Sequence, residues 1–571
     1  MVRGIYQNQL SLDTVGHNIT NANTEGYSRQ RVNLATTRAL DHPGLFGGLQ
    51  IGTGVDAESL TRARDFFADK QYWQEEATES YAKLRQRNYD KVEAVFDDSK
   101  KNGIKNELHK FYSAWNDLSV YASEPAKRIS VIEAGKQFAD RLEEAAQSVQ
   151  KQLDLVYREM EANVADVNDI TKKIVDLNKN IAFAEANGSM ANDLRDKRDL
   201  LVDKLSQHMS LHVYEMENGM YQIVSGGASI VNGISRLELK MDGPVENKRY
   251  GVNDYSLIFK DTNTLFVPGN GKLQAGVDAI KEDKAYMDKL ASIAATFMTQ
   301  FNDQHRAGAG IDKDATSNLN FFGENDRYYV WDKERQSLLA AKVTGTASST
   351  AGTPPVTTHT TTLSTAAGDT QELQGLQIIK AMKVSAELVA QNGELKVAAR
   401  GFGDNSDAKN SYVQNLGYNN ATIPPNITGT GTVVHKTQDM NGTADGSNAV
   451  LLTNIFNMEQ KDTGLSIYRT PTAGSPTEHR PIGTVSLNNY YNSVTSALGI
   501  DSNAMDTKVK FQQDVMTQIE AWRTSVSGVN WNEELSNMIK FQQGYSACAR
   551  CMTTMDEMLD RLVNNTGLVG R

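Results

Sequence analysis

The sequence predicts an α+β protein of several domains, in which the helices at the two ends of the chain pair as a coiled coil. Near both ends of the 571-residue chain, apolar residues recur at the three- and four-residue spacing of helices. Between these stretches, two central segments alternate apolar and polar residues as strands do. Helices at opposite ends can share a core only if the chain returns to its starting region. We therefore expect a terminal coiled coil, a bundle domain of long helices, and one or more β-rich outer lobes.

The composition argues against several classes of partner. The formal net charge is −11, whereas proteins that bind nucleic acid or anionic membranes present a basic face. No apolar run approaches the ~18 residues of a membrane-spanning helix. The N-terminus also lacks the charged region, apolar core and cleavage site of a secretory signal. We expect no nucleic acid and no membrane as partners, while export without a cleaved signal stays open.

The N-terminal residues 2–20 have the pattern of a short amphipathic helix. One stripe of this helix carries the apolar side chains Val2, Ile5, Leu12, Val15 and Ile19. The pattern ends in a turn, because Asn tolerates left-handed backbone conformations and Gly adopts them freely. The candidate residues of this turn are Asn18, Asn21, Asn23, Gly26, Tyr27 and Arg29. An isolated helix this short is marginal in water, so we expect it to need a partner.

Residues 56–208 are predicted to be helical with few interruptions. In part of this region apolar residues recur at alternating spacings of three and four, which is typical of helices that pack in a bundle. These residues are Leu153, Val156, Met160, Val164, Val167, Ile170, Ile174, Leu177 and Ile181. Ser123 is the predicted N-cap of one helix, since Pro125 follows in its first turn. Gly103 and Gly188 are predicted to separate successive helices.

The central part of the chain is predicted to contain strands. Residues 211–268 have the two-residue period around Asn218-Gly219, a strong hairpin signal. A helix is predicted again at about residues 272–305. Residues 310–483 have strand-and-loop character, and residues 343–370 are too poor in large apolar groups to form a core alone. We therefore expect one or two β-rich lobes carried on the helical part.

The end of the chain is predicted to be helical in two pieces, residues 487–527 and 531–564. In the second piece a methionine-rich stripe steps by four and three residues through Phe541, Tyr545, Cys548, Met552, Met555, Leu559 and Leu562. This period of 3.5 residues predicts a left-handed supercoil with a partner helix. Two interpretations stay open: an ordinary core helix, or a helix that pairs with residues 2–20 and packs against other copies.

Four motifs resemble chemical sites but lack the necessary context. Cys548-Ala-Arg-Cys551 matches C-x-x-C, yet it lies within a helical pattern rather than at a helix start. Residues 52–57 match the G-x-G-x-x-A dinucleotide fingerprint, but the helix predicted after them is too long. The stretch from Asp312 resembles a calcium loop without its Gly and Glu. The charged run 192–203 is interpreted as a solvated helix face. We predict no enzyme activity, no cofactor and no metal site.

Five segments carry a recognisable family pattern. "GHNITNANTEGYSRQ" (residues 16–30) resembles the N-terminal motif shared by flagellar rod, hook and hook-associated proteins, and residues 527–563 resemble their C-terminal motif. Residues 51–67, 111–128 and 191–206 resemble the family of flagellar hook-associated protein 1, the hook–filament junction protein. The chain is therefore identified as similar to that family.

The resemblance covers residues 1–310 and 485–571, whereas residues 311–484 match no recognisable pattern, as expected for the variable outer region of the family. It implies a structural junction protein of the bacterial flagellum, found outside the cell after type III export without a cleaved signal peptide. The implied partners are further copies of the chain in a ring, the hook protein, the second junction protein, and an export chaperone at the C-terminal region. The alternatives are another axial protein, of hook or distal rod type, or an axial protein with a hydrolytic insert at 311–484.

The resemblance also implies a division into domains. Residues 1–35 and 528–571 would form the terminal coiled coil of an inner tube, and the two apolar stripes above would be its assembly interface. Residues 36–210, 272–310 and 485–527 would form the helical bundle domain. Residues 211–271 and 311–484 would form the β-rich outer lobes. The turn from Asn18 to Arg29 would contact the next domain or a neighbouring copy, with local helix capping as the alternative.

Overall fold

The structure is a computed structural model. It describes residues 2–42, 49–96, 103–332, 335–351, 356–364, 366, 368–401, 413–419, 426–436, 441–457 and 486–565. No helix in these residues is both long enough and apolar enough to cross a membrane.

Long helices dominate the two ends of the chain, and shorter helices lie between the later strands. The α-helices are α1 (Val2–Asn21), α2 (Phe66–Val95), α3 (Ile104–Val120), α4 (Pro125–Glu185), α5 (Asn192–Ser206), α6 (Gly271–Thr296), α7 (Asn302–Ala307), α8 (Leu376–Ala381), α9 (Ala386–Val389), α10 (Ser447–Asn457), α11 (Leu487–Ser527) and α12 (Trp531–Asn565). A π-helical turn, Phe297–Phe301, joins α6 to α7, and a 3₁₀ turn spans Gly393–Lys396.

The strands form small antiparallel sheets. They are β1 (Gln30–Thr36), β2 (Leu40–His42), β3 (Leu49–Ile51), β4 (Val55–Arg62), β5 (His212–Glu215), β6 (Tyr221–Ser225), β7 (Ala228–Asn232), β8 (Ser235–Arg236), β9 (Leu239–Asn247), β10 (Val252–Phe259), β11 (Arg327–Asp332), β12 (Ser337–Ala351), β13 (Val356–Leu363), β14 (Thr370–Leu373), β15 (Val413–Asn419) and β16 (Asn426–Lys436). Four strands form the sheet β5-β6-β7-β8, and six form the sheet β11-β12-β13-β16-β15 with β14 paired to β12.

The helical domain is organised around α4. Its 61 residues correspond to a length of about 90 Å. The predicted apolar positions of α4 are buried, except for Ile170 and Leu177, which are half-buried. The helix begins at Pro125 with Glu124 as N-cap, one residue later than the Ser123 cap expected from the sequence. The long helices lie in the order α11–α2–α6–α4, so α11 is at an edge of the bundle.

The largest core of the helical domain is an aromatic cluster around Phe111 of α3. The Phe111 ring lies 5.5 Å from the Phe301 ring of the π-helical turn and 6.2 Å from the Phe138 ring of α4, centroid to centroid. It also contacts Phe321 and Phe456, which belong to the segment between α7 and α11. Such aromatic pairs stabilise a core beyond the area that they bury. The cluster therefore anchors that segment in the helical domain.

The predicted hairpin at Asn218-Gly219 connects β5 to β6. Gly219 has φ of +75°, which L side chains rarely adopt. Apolar residues of the sheet β5-β6-β7-β8, including Ile223 and Val231, pack with Val164 and Ile174 of α4. This sheet is therefore held against the far half of α4.

Residues 55–62 are a strand and not the start of a helix, which corrects the helical prediction for 56–208. β4 pairs with β1 in the antiparallel register Gln30↔Arg62 to Thr36↔Val55. Its first four residues, 55–58, alternate between less and more exposed positions, as expected where every second side chain turns to one face. Because a strand follows Gly54, residues 52–57 also lack the helix that a dinucleotide fingerprint requires.

The segment 311–484 is less purely β than the sequence indicates. α8, α9 and α10 lie within it, and Ile378 and Leu452 are buried in the same core as Phe111. The β-rich character that we expected applies to β11–β16. The short helices escaped prediction because their apolar residues belong to a shared core rather than to a long amphipathic stripe.

Candidate assembly surface

α1 and α12 form an antiparallel pair, so the two ends of the chain meet. At one end a Cβ atom on Gly4 would lie only 3.2 Å from Cys548 Sγ. One turn further, a Cβ atom on Gly544 would lie 2.6 Å from Asn8 Oδ1. At the other end Asn18 Nδ2 lies 3.3 Å from Glu534 Oε2. Glycine at both crossing points lets the helix backbones approach closely.

The buried face of α1 is mostly polar. The buried side chains are Gln7, Ser11, Thr14, Val15 and Asn18. Of the predicted apolar stripe, Val15 is buried, Ile5, Leu12 and Ile19 are half-buried, and Val2 is exposed. The predicted apolar stripe thus lies beside the buried side of α1, and Val15 is the one residue of the stripe that is itself buried.

The predicted stripe of α12 divides into two parts. Phe541 and Cys548 are half-buried on the side of α1, and Tyr545 beside them is exposed. Met552, Met555, Leu559 and Leu562 are all exposed in the C-terminal part of the helix. Together with the α1 stripe, they remain candidate residues of an interface with other copies.

Further large apolar side chains point away from the helix pair even where α1 and α12 overlap. On α1, Tyr6 is 66% exposed and Leu10 is also exposed. On α12, Ile539 is 56% exposed, and Leu535 and Trp531 are exposed as well. Several exposed large apolar side chains on one helix pair are typical of an interaction site.

Asn18 organises the turn that follows α1. Its side-chain oxygen accepts hydrogen bonds from Tyr27 OH at 2.7 Å and from the backbone N–H of Gln30 at 2.9 Å. Its amide group donates to the Gln30 carbonyl at 3.0 Å. One buried side chain therefore satisfies both backbone groups of Gln30 and fixes the angle between α1 and β1.

Arg29 joins the turn to the first turn of α12. Its guanidinium donates to Glu533 at 2.7 Å and lies 2.6 Å from a Glu534 carboxylate oxygen. The hydrogen bond to Glu533 and the charges of both glutamates raise the pKa of Arg29 despite its burial. The backbone N–H of Arg29 donates to the Ser527 carbonyl at 2.9 Å. Arg29 thus contacts its own chain.

The other turn residues have mainly local contacts. Asn21 donates to the His17 carbonyl at 3.0 Å and Asn23 is exposed. Gly26 has φ of +78° and packs against Leu200 of α5. Burial and the nearby carboxylates of α5 and Glu534 raise the pKa of Tyr27. The turn therefore connects α1, α5 and α12 within one chain.

A buried network of charges next to this turn corrects the interpretation of residues 192–203 as a solvated face. Arg62 Nη1 lies 2.8 Å from an Asp196 oxygen and 2.7 Å from an Asp199 oxygen. Burial alone would raise the pKa of Asp199, but Arg64, Arg62 and Arg198 hold it below its usual value. Arg523 of α11 completes the network, since its guanidinium lies 3.0 Å from an Asp203 oxygen.

This network was missed because its partners come from separate segments. The backbone N–H of Ser28, in the turn, donates to Asp196 at 2.9 Å. The only signal in the sequence was the placement of Asp193, Asp196, Asp199 and Asp203 along one side of a helix, which a solvated helix shares. The network fixes the α1–α12 pair relative to the helical domain.

The described residues offer no catalytic arrangement at the motifs considered above. No group of three or more His, Cys, Asp or Glu side chains within them is placed to hold a metal ion. Cys548 and Cys551 are free thiols on α12. Asp312 accepts a hydrogen bond from the backbone N–H of Thr316 at 2.8 Å, which closes its own turn.

Comparison with known proteins supports the family resemblance. The family model described as "Flagellar hook-associated protein FlgK helical domain" matches residues 89–322, and "Flagellar basal body rod FlgEFG protein C-terminal" matches residues 523–565. The flagellar hook-associated protein 1 of Bacillus subtilis is 24% identical, over 100% of this chain and 98% of that protein. Over its full length the chain is similar to members of the flagellar hook-associated protein 1 family. The family resemblance read from the sequence is thereby confirmed.

Two further hook-associated protein 1 sequences also align with this chain over almost their full length. Those of Salmonella typhimurium and Escherichia coli are each 24% identical, over 98% of this chain and 98% of their own length. The structure of the flagellar hook junction protein FlgK from Burkholderia pseudomallei has a TM-score of 0.54 at 17% identity, covering 80% of this chain and all of that one. This similarity confirms the predicted α+β multidomain fold class.

Proposed function

We propose that this chain is a structural component of the bacterial flagellum, and that it polymerises between hook and filament through its paired helices α1 and α12. The observation that carries the proposal is the apolar surface that the pair turns outward, with Tyr6 and Leu10 on α1 and Leu535 and Ile539 on α12. Fully burying an exposed Leu or Ile side chain contributes about 1.5–3 kcal/mol, and these partly exposed side chains can gain a part of that. In a ring of this chain, contacts between neighbouring copies would bury these side chains, and that burial would stabilise the ring.

Assembly also stabilises the pair itself. Helix α1 has 20 residues, and its buried face is polar except for Val15. A helix of this length with so little apolar burial is marginal alone. In the proposed ring, neighbouring copies cover the outward stripes, so that ordering of the termini is coupled to incorporation.

The proposal includes partners and location. Further copies of the chain, the hook protein and the second junction protein would contact the assembled ring, and an export chaperone would cover the exposed C-terminal part of α12 before assembly. The chain would act outside the cell, after export without a cleaved signal. It would act as a structural protein and not as an enzyme.

Complementation of a strain that lacks this chain tests the proposal. We expect negative-stain images of the strain to show hooks without filaments, and the wild-type chain to restore filaments. The double substitution Leu535→Asp with Ile539→Asp should abolish restoration, because it places charge in the outward stripe. Truncation of residues 2–19, or of residues 552–562, should do the same while the centre stays folded.

Ile234→Asp is the matched control, since Ile234 is an exposed apolar residue in the turn between β7 and β8. This control should restore filaments. If the double variant is exported, folds and still builds filaments as the wild type does, the proposed role of the helix pair is wrong.

A further inference from the structure

A cavity lies where the helical domain meets the segment that carries the six-stranded sheet. Its volume is about 640 Å³, within the range of roughly 300–1,000 Å³ that is usual for small-molecule sites. One side of α6 and the first turns of α11 form two of its walls, while Trp331 at the end of β11 and Ile378 of α8 lie in the third. Ala285 of α6 and Ala497 of α11 are exposed and lie at its opening. The cavity therefore opens to solvent between two small side chains.

Most of the wall of this cavity is apolar. Val494 of α11 and Ile378 are buried in the same core as Phe111 and contribute aliphatic surface. Two aromatic residues, Trp331 and Tyr490, also line the cavity. An apolar group that displaces water from such a wall gains free energy, because apolar surface is removed from water. The cavity therefore favours a ligand with an apolar body.

Several polar groups of the wall are hydrogen-bond donors without acceptors. The indole N–H of Trp331 is buried and has no hydrogen-bond partner among the described residues. The side chains of Gln336 and Lys289 likewise form no hydrogen bond or ion pair within the described part of the chain. An indole N–H and an ammonium group can only donate, and an amide can donate as well. Because an unpaired buried donor costs free energy, a ligand that supplies an acceptor is stabilised here.

The acidic side chain in this wall is already engaged. Asp288 accepts a hydrogen bond from Arg249 Nε at 2.9 Å and another from Tyr250 OH at 3.0 Å. The hydroxyl of Ser292 donates to the Asp288 carbonyl at 2.9 Å, within its own helix. Arg249 and Asp288 therefore offset each other's charge, and Lys289 leaves one positive charge over.

No carboxylate of the described residues forms an ion pair with Lys289. Its ammonium lies 4.2 Å from the centroid of the Tyr286 ring. Burial lowers the pKa of Lys289, although the charges of Asp501 and Glu282 act in the opposite direction. Glu282 itself pairs with Arg85. A negative charge next to the ammonium offsets this loss of hydration, because an opposite charge within about 4–6 Å favours the charged form.

We infer that this cavity binds a small amphiphilic carboxylate. The apolar body of the ligand lies against Ile378 and Val494, and its carboxylate accepts hydrogen bonds from Lys289 and from the Trp331 indole. One negative charge matches the one positive charge of the wall, whereas a doubly charged phosphate leaves an excess. The inference is independent of the proposed function, since no described residue of α1 or α12 lines the cavity.

Binding connects two parts of the chain. The ligand contacts α6 and α11 of the helical domain and also Trp331, which belongs to the six-stranded sheet. A ligand that binds only the folded state stabilises it by mass action. We therefore expect the ligand to raise the temperature at which the helical domain unfolds.

Isothermal titration calorimetry of the full chain with decanoate, below its micelle concentration, tests the inference. Decanol and decylamine have the same number of carbon atoms but no negative charge. We expect one decanoate to bind per chain, at least tenfold more tightly than decanol or decylamine, because hydrogen bonds to a charged group are the stronger ones. Lys289→Met should weaken decanoate binding at least tenfold. Lys172→Met is the matched control and should bind as the wild type does, since Lys172 is exposed on α4 and does not line the cavity.

Ala497→Trp tests the site without removing a charge. Because Ala497 is exposed at the opening, a bulky ring there should block entry and preserve the fold, which thermal unfolding of the ligand-free variant checks. We expect this variant to lose both decanoate binding and the stabilisation by decanoate. Failure of the wild type to bind decanoate, equal binding of the three probes, or undiminished binding by either cavity variant would each overturn the inference. None of these results concerns filament assembly, so the proposed function would stand.

Discussion

Arg29 and Glu534 form a buried ion pair, with 2.6 Å between Arg29 Nε and a carboxylate oxygen of Glu534. Only 10% of the Arg29 side chain and 2% of the Glu534 side chain are exposed. Asn18 donates to the same carboxylate. The pair therefore fastens the end of α1 to the beginning of α12, at the point where both helices meet the helical domain.

Glu534→Gln should loosen this junction. Removing one partner of a buried pair leaves an uncompensated charge, which costs about 3–5 kcal/mol when no other partner remains. Because Glu533 also pairs with Arg29, we expect a smaller loss, about 1–3 kcal/mol. Hydrogen exchange should show faster exchange of α1 amides. Glu533→Gln, at the more exposed partner, should have a much weaker effect, and equal effects would contradict this account.

The effect of substituting a glycine in the α1–α12 pair should depend on the side of the helix on which that glycine lies. Gly544→Val places a side chain against Asn8 and should separate α1 from α12. Gly16→Ala meets nothing within 4 Å and should stabilise α1 by about 0.5–1 kcal/mol, because alanine favours helix over glycine. Amide exchange in α1 measures both effects, and faster exchange in Gly16→Ala would contradict the pairing geometry.

Asp283 should make the stability of the helical domain depend on pH. Burial raises the pKa of Asp283 from 3.8 to about 7, and Glu282 adds to this against the opposite effects of Asn88, Lys91 and Arg85. One of its carboxylate oxygens also lacks a hydrogen-bond partner. The folded state therefore binds this proton more tightly than the unfolded state, and the stability that it supplies is lost as the pH rises towards 7.

Asp283→Asn removes that titration and keeps the shape of the side chain. Relative to the wild type, we expect the variant to gain stability from pH 4 to about 7, by a few kcal/mol at most, and to show a constant difference above pH 7. Urea unfolding at several pH values measures this. The exposed Asp242→Asn is the control, and a pH-independent difference for Asp283→Asn would refute the assignment.

Phe321→Ala should destabilise the helical domain by about 3–5 kcal/mol, the range for deleting a buried phenylalanine ring. The Phe321 ring lies 5.5 Å from both Phe111 and Trp115, centroid to centroid. Urea unfolding followed by tryptophan fluorescence reports the loss. Phe183 is 85% exposed, so Phe183→Ala should change the stability by less than about 0.5 kcal/mol. A loss below 1 kcal/mol for Phe321→Ala would mean that the cluster contributes little.

Periodicity in the sequence predicted the long helices well. α4 buries the positions that the three-and-four pattern selects, because a long helix between other helices must turn one continuous stripe inward. The ends of α11 and α12 also agree with the prediction to within a residue or two, since Ser486 caps α11 and Gly528 follows it. Family resemblance, carried by the motifs at both ends, supplied the functional class.

The remaining features could not be predicted from the sequence, because they depend on contacts between segments that are distant along the chain. The sequence predicts helix at β4, because the short alternation there is weak and only the partner strand β1 defines it as a strand. The aspartates of α5 have the same spacing in a solvated helix as in a buried network, and only Arg62 and Arg523 distinguish the two. Apolar periodicity indicated Val15 but not Gln7, Ser11 or Asn18, because the buried side of α1 is mostly polar.

The Phe111 cluster has a consequence for the outer part of the molecule. Phe321, before the six-stranded sheet, and Phe456, after it, touch the same ring. Between them, Leu338 and Ile378 are also buried in this core, so the intervening polypeptide is fastened to the helical domain at several places. Since lengthening a closed loop adds little entropic penalty, the chain between two neighbouring attachment points can change in length while those points keep their places in the core.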